Sequence, residues 1–369
     1  MPTLKDLLKA VADERRTLTR IEARTALLAI LTSEPEEGGD LLIAALLTAM
    51  ATRGETADEL AGFAEAMRSL ALPIPITAEE RAVLVDTCGT GGDGRGTFNI
   101  STGAALVATA AGAKVAKHGN RGVTSRCGSA DVLEALGVPV ALSPGQSAAC
   151  LLATGFTFLY APALHPAMKR VQPIRRALGF RTIFNLAGPL TNPAGAPAQV
   201  VGVFAPEKLE TVAGAMAQLG VRRGRVVHAR DGVDEISLSE TDAILVSSPN
   251  PLVRTLIHPE NVGLMRADLS HLRGGDTPEQ NAAILESIFV GDDRGPRRDV
   301  VLVNAAAALE AAGLVATLKD GVTRAAAAID SGAARQTLAA LRNFGASLSC
   351  EPGSATSPGQ AALPSTGER

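Results

Sequence analysis

Through the first 75 residues the apolar positions repeat at helical spacing: Leu4, Leu7, Leu8 and Val11 form one stripe, Ala26, Leu27, Ile30 and Leu31 another. The runs 40–50 and 56–67 continue it, and Thr56 followed by Glu59 is a capping-box start. The pattern predicts four short helices, closed by the breakers Pro73 and Pro75. From Val83 the grammar changes. Short apolar runs at 83–86, 113–118, 156–161, 200–204 and 225–229 have the character of buried parallel strands, and the segments between them at 102–111, 130–136, 147–153 and 207–219 are helical. This alternation predicts an α/β fold: a small helical domain over residues 1–75, then an α/β domain over 80–345 with a mostly parallel sheet and helices on both faces. An Arg-rich helical stretch at 165–192 interrupts the alternation, and Ala-rich helices follow Asp299. Eleven of the nineteen residues 351–369 are Pro, Gly, Ser or Thr, which predicts a disordered tail.

Composition narrows the partners. The 369-residue chain is 46% hydrophobic and 20% charged, with a net charge of −3, so neither nucleic acid nor an anionic membrane is expected as a bulk partner. No apolar run approaches a membrane span, and the N-terminus has no secretion-signal core. Cys88, Cys127, Cys150 and Cys350 lie far apart with no ligand spacing. Reduced thiols in the cytoplasm are expected rather than a zinc site or a disulfide framework.

Local chemistry concentrates in 86–137. Ten of the forty residues from Gly89 to Gly128 are glycine, and between Asp93 and Asp131 stand five cations (Arg95, Lys114, Lys117, Arg121, Arg126) with no acid. Glycine lets backbone N–H groups approach a ligand, and the cations select for a polyanion, phosphate above all. Gly89–Gly94 fits G-x-G-x-x-G, but the acid of a dinucleotide site is missing about 20 residues on; positions 107–120 hold Lys114, Lys117 and His118 instead. A helix is expected to begin near Ser101, with Ser101 or Thr102 open to reading as its N-cap. A phosphate there would meet free N–H groups and the positive end of the dipole. Asn99 and Ser101 place oxygen donors where Mg²⁺ would need them. Lys117–Ser125, directly after a strand, reads as a second cradle.

Four segments in order, DTCGTGGDGRGTFNIST, KHGNRGVTS with GSADVLEALG, HPAMKRVQPIRRALGFRTIFNLAGPLTNP and DGVDEIS, resemble the anthranilate phosphoribosyltransferase family of tryptophan biosynthesis. The resemblance runs from the N-terminal helices to about residue 345. It implies a helical domain, completed by helices within 165–190, joined to an α/β domain shared with pyrimidine nucleoside phosphorylases. It also implies a Mg²⁺-dependent homodimer using 5-phosphoribosyl 1-diphosphate (PRPP) and anthranilate. Carried over by position, the resemblance assigns PRPP to Gly89, Gly92, Asp93, Thr97, Asn99, Ile100, Ser101, Thr102, Lys117, His118, Gly119, Asn120, Arg121, Gly122, Val123, Thr124, Ser125 and Ser129. Gly89, Asn120 and Arg175 are implied for anthranilate. Alone, Arg175 reads as a helix-surface arginine; as a family residue it is the partner for a benzoate carboxylate. Ser101, Asp234 and Glu235 are implied as ligands of two Mg²⁺ ions, with Lys117, Asp234 and Glu235 as catalytic residues. Adjacent strand residues point to opposite faces, so joint metal duty requires 234–235 to lie in a loop, and Asp231-Gly232 supplies a turn. Ala229 and Cys127 depart from the family's usual Gly and small hydroxylic residue.

The implied reaction is attack of the anthranilate amine on ribose C1 with inversion and loss of pyrophosphate. No residue stands out as a general base, and His118 could instead shape the aromatic pocket. A nucleoside phosphorylase of the same fold, a non-catalytic nucleic-acid-binding relative and a dinucleotide module are the alternatives. The intact KHGNR segment with Arg175, the net charge of −3 and the retained Asp234 and Glu235 weigh against them.

Overall fold

The computed structural model describes residues 2–33, 38–122 and 126–349. The expectations for Val123, Thr124, Ser125 and the tail at 351–369 lie outside the described residues.

The N-terminal helical domain is built from α1 (Leu4–Ala12), α2 (Arg20–Thr32), α3 (Gly39–Arg53) and α4 (Ala57–Ser69). Thr3, Thr19 and Thr56 each cap a helix in a capping box with Asp6, Glu22 and Glu59. Glu59 does more than cap. It is fully buried, accepts the N–H groups of Leu18 at 2.8 Å and Thr56 at 3.0 Å, and pairs with Arg53 at 2.6 Å, fixing the α1–α2 linker to α4. After the prolines comes the short α5 (Ala78–Ala82).

The chain then alternates as β1 (Leu84–Gly89), α6 (Ile100–Ala110), β2 (Lys114–Gly119), α7 (Ser129–Ala135), α8 (Pro144–Thr154), β3 (Phe156–Tyr160), α9 (Ala161–Leu164), α10 (Gln172–Leu178), α11 (Ile183–Ala187), β4 (Ala198–Gly202), α12 (Leu209–Gln218) and β5 (Arg223–Ala229). Two further strands, β6 (Thr241–Ser247) and β7 (Val253–Ile257), precede α13 (Pro278–Val290), α14 (Pro296–Ala311), α15 (Leu318–Asp330) and α16 (Ala333–Ser349). The seven-stranded sheet has the order β3-β2-β1-β4-β5-β6-β7. Its first five strands are the expected parallel ones; β6 pairs antiparallel with β5, and β7 pairs antiparallel with β6.

One core cluster joins α6 and α13–α16 to one face of the sheet. α14 is buried nearly all round, with Val300–Leu309 inside, which suits a helix packed on both sides. A second cluster joins α1–α4 to the other face through α12 and takes in Val171, Ile174, Ile183 and Phe184 of the 165–192 stretch. After β1 the chain moves to β2 and β3 on one side, then returns to β4 on the other. Gly89 at the end of β1 therefore pairs with Gly202 at the end of β4, across the reversal of strand order where α/β sheets open a crevice.

Candidate active site

The loop leaving β1 is shaped by glycine. Gly91, Gly92, Gly94 and Gly96 have φ of 65°, 77°, 70° and 68°, a region that a Cβ makes costly. Thr90 ties the loop to the end of β4, its N–H donating to Gly202 O at 2.8 Å and its hydroxyl accepting from Phe204 N at 3.0 Å. Arg181 donates to Gly92 O while its guanidinium lies 4.1 Å from the centre of the Phe204 ring. Asp93 accepts from the N–H of Arg95 at 3.0 Å and more loosely from that of Asp234 at 3.4 Å.

The helix that follows starts at Ile100, and its cap is Asn99, which makes no side-chain cap bond. Ser101 and Thr102 therefore lie inside the first turn rather than capping it. Asn99 Nδ2 donates to Cys127 O at 3.1 Å, while its Oδ1 is buried and has no hydrogen-bond partner among the described residues. An unsatisfied buried oxygen at a helix start, beside a glycine loop, is a place for a ligand to complete.

Lys117, on β2, is buried. Its Nζ donates to Thr87 O and, at 3.2 Å, to Ser101 Oγ, so the ammonium stands under the first turn of α6. Burial pulls its pKa down, opposed first by the negative charge of Asp86. Asp86 is itself fully buried; it accepts from His118 N–H at 3.1 Å and Asn192 Nδ2 at 2.8 Å, and burial pushes its pKa up.

Asp234 and Glu235 lie in the loop between β5 and β6, not on a strand. Gly232 has φ 91°, and its N–H returns to Ala229 O at 2.8 Å, so the turn forms with Ala at 229. Asp234 Oδ2 accepts from Gly91 N–H at 2.8 Å and Glu235 Oε1 from Ser101 N–H at 3.1 Å, which joins the loop to both halves of the first cradle. Burial, then the charge of Asp93, raises Asp234 to about 7; burial, then the charge of Asp234, raises Glu235 to about 8. Two crowded carboxylates and a hydroxyl, all hard oxygen donors, suit a small divalent cation that keeps waters and takes phosphate oxygens as its other ligands. The residues therefore fit Mg²⁺.

The second cradle is pinned by Asp131, which accepts from the N–H groups of Gly122 and Gly128, each at 2.8 Å. Arg121 is turned toward that helix, pairing with Asp131 at 3.1 Å and Glu134 at 2.6 Å. Asn120 accepts from Arg121 N–H at 2.8 Å, Gly119 closes β2, and Ser129 opens α7. Arg175 on α10 is partly buried, with its guanidinium 5.2 Å from the centre of the Phe184 ring. Among the described residues no hydrogen bond or ion pair satisfies that guanidinium, and burial lowers its pKa. Neighbouring Arg176 is exposed.

Several contributors carried no signal in local spacing. His165 packs its ring 5.1 Å from that of His118. Burial, together for His118 with the neighbouring His165, lowers the two to about 3 and about 4, so both are neutral. The segment 272–275 pairs with the glycine loop: Thr97 bridges Arg273, Gly274 N–H donates to Gly96 O at 2.9 Å and Phe98 N–H to Leu272 O at 3.3 Å. Buried Asn281 of α13 holds that segment, accepting from Gly275 N–H at 3.2 Å and donating to Gly275 O at 3.1 Å and Thr277 O at 2.8 Å.

Comparison with known proteins identifies the family. A family model described as "Glycosyl transferase family, a/b domain" matches residues 81–335, and one described as "Glycosyl transferase family, helical bundle domain" matches residues 5–71. The anthranilate phosphoribosyltransferase of Symbiobacterium thermophilum is 50% identical over 341 residues, covering 92% of this chain and 97% of that protein. Among solved structures, the anthranilate phosphoribosyltransferase of Thermus thermophilus has a TM-score of 0.86 at 44% identity, covering 92% of this chain and 99% of that one. The Saccharomyces cerevisiae enzyme in complex with PRPP and Mg has a TM-score of 0.84 at 27% identity, covering 93% and 98%. With both domains matched along nearly the full length of its relatives, the chain belongs to the anthranilate phosphoribosyltransferase family of glycosyl transferases.

Proposed function

We infer that the protein transfers the phosphoribosyl group of PRPP to the amine of anthranilate, giving N-(5-phosphoribosyl)anthranilate and pyrophosphate, a step of tryptophan biosynthesis. The observation that carries this reading is the meeting of the Asp234–Glu235 loop with Gly91 and Ser101, which puts carboxylates, a hydroxyl and a glycine loop around one volume at the ends of β1 and β4.

The glycine loop, Asn99 and the N-terminus of α6 bind the diphosphate, and the second cradle holds the ribose phosphate. Ser101, Asp234 and Glu235 hold two Mg²⁺ ions, which, when bound, neutralise charge on the diphosphate. Lys117 adds a fixed positive charge beside Ser101, where the leaving pyrophosphate gathers negative charge. Arg175 pairs with the anthranilate carboxylate and, with Asn120 and Gly89, orients the amine toward ribose C1. The C–N bond forms as the C1–O bond to pyrophosphate breaks, with inversion at C1. The arylammonium proton leaves to solvent, so no side chain need act as base. His118, neutral beside His165, shapes the pocket wall rather than moving a proton.

The reading includes a homodimer, for which Ile21 and Leu41 on the helical domain, 78% and 75% exposed, offer apolar surface. It also includes a cytoplasmic location, which the buried thiols of Cys88 and Cys150 fit. Pure protein given anthranilate, PRPP and Mg²⁺ should release one pyrophosphate per anthranilate consumed. Turnover of a nucleoside with inorganic phosphate, and none of anthranilate, would overturn the assignment. Sedimentation as a monomer at micromolar concentration would overturn the dimer.

A further inference from the structure

α14 is apolar from Val300 to Leu309 except for one side chain, Asn304, which is buried with them. A buried amide in such a helix is unfavourable unless each of its polar atoms finds a partner. Here each does, and two of the three bonds go to one residue. Asn304 Oδ1 accepts from Ile236 N–H at 3.1 Å, and Nδ2 donates to Ile236 O at 2.7 Å and to Val300 O, one turn back, at 2.8 Å. Ile236 directly follows Glu235 and is fully buried. Asn304 thus reads no side chain. It grips both main-chain polar groups of the residue next to the acidic pair.

The rest of that loop is held at other points. The Asp234 carbonyl lies where a Cβ on Gly202 would stand, and Ala229 N–H donates to Val233 O at 3.0 Å. On the far side, Ser237 N–H donates to Thr241 Oγ at 3.2 Å. Between these supports, the grip of Asn304 is the constraint nearest to the Glu235 Cα.

We propose that Asn304 is a positioning residue for the acidic loop, setting the Glu235 backbone so that Asp234 and Glu235 converge on one cation. This rests on the reading that the two acids hold Mg²⁺. The arrangement is that of an outer partner orienting metal ligands, acting through the main chain rather than through the carboxylates.

The test uses the full chain and two readouts: the Mg²⁺ concentration giving half-maximal turnover, and the rise in melting temperature produced by Mg²⁺ with pyrophosphate. Asn304→Leu, which keeps volume, and the milder Asn304→Ser should each raise the Mg²⁺ requirement about tenfold or more. They should also shrink the thermal rise at a fixed Mg²⁺ concentration, while KM for anthranilate at saturating Mg²⁺ stays unchanged. Val303→Ala, a core truncation on the same helix, should lower the melting temperature without moving the Mg²⁺ requirement. If Asn304→Leu does not fold, Asn304→Ser decides. Asn304 variants that lose stability as Val303→Ala does, yet keep the wild-type Mg²⁺ requirement, overturn the proposal. Glu235→Gln separates the two levels. If it too leaves both readouts at wild-type values, the metal reading has failed and Asn304 with it; if it moves them and the Asn304 variants do not, only the role of Asn304 has failed.

Discussion

A Cβ placed on Gly89 would stand 2.8 Å from Asp234 Oδ2. The end of β1 and the acidic loop after β5 are thus in contact across the crevice, and the contact exists because residue 89 has no side chain. Gly89→Ala should displace the Asp234 carboxylate while leaving the β1 hydrogen bonds in place. The expected result is a higher Mg²⁺ requirement and slower turnover, with a small loss of melting temperature. Wild-type Mg²⁺ dependence in this variant would mean that Asp234 tolerates the displacement and is not a ligand.

Arg175 gives a prediction on the acceptor side. Its partly buried guanidinium has an aromatic face but no acid among the described residues. Losing a charge-assisted bond to the substrate carboxylate is worth about 1.5–3 kcal/mol, so Arg175→Ala should raise KM for anthranilate by roughly 10- to 150-fold. KM for PRPP should barely change. Steady-state kinetics with each substrate varied in turn would check this, and a loss confined to PRPP would remove Arg175 from the acceptor site.

Much of this layout can be read from the chain, and the exceptions have physical causes. The five parallel strands are legible because strands buried on both faces must be continuous apolar runs. β7 is not: as an edge strand with Val253, Arg254 and Leu256 exposed, it carries no such run. The glycine loop is legible because positive φ demands glycine, as at Gly92. Asp234 and Glu235 are different. Local sequence reads them only as an acidic turn, since what marks them out is contact with Gly91 and Ser101, more than 130 residues earlier. Asn281 and Asn304 are invisible for the same reason, because a single amide in a helix does not announce which distant backbone it will satisfy. Arg121, legible as a cation for phosphate, faces Asp131 and Glu134 instead, an arrangement that cation counting cannot foresee.

The histidine pair predicts a pH dependence of stability. In the fold His118 and His165 titrate at about 3 and about 4 because burial disfavours the charged rings. An unfolded histidine titrates near 6.5. Between those values the unfolded chain binds more protons at these two sites, so the histidines' contribution to stability is full above about pH 6.5 and falls as the pH drops below it, by about 1.4 kcal/mol per histidine from pH 7.5 to 5.5. Asp234 and Glu235, raised by burial, act in the opposite sense over the same range. The difference between wild type and variant isolates the histidines. Replacing His118 with Asn and His165 with Gln should remove the histidine contribution, so that from pH 7.5 to 5.5 the variant's melting temperature falls less, or rises more, than that of the wild type. Parallel curves for the two proteins would mean that the rings take up protons in the fold.

The account depends most on the acidic pair, and the direct measurement is the rate of anthranilate fluorescence loss with PRPP as Mg²⁺ is titrated, for wild type and for Asp234→Asn combined with Glu235→Gln. The variant should fold, because both changes are close to isosteric and relieve the crowding of two buried charges. Its turnover should fall by at least about a hundredfold at Mg²⁺ concentrations that saturate the wild type, in line with the loss of several kcal/mol of charge stabilisation at the diphosphate. A folded variant with near-wild-type turnover at limiting Mg²⁺ would contradict the placing of the metal, and with it the assembly of the site around the ends of β1 and β4.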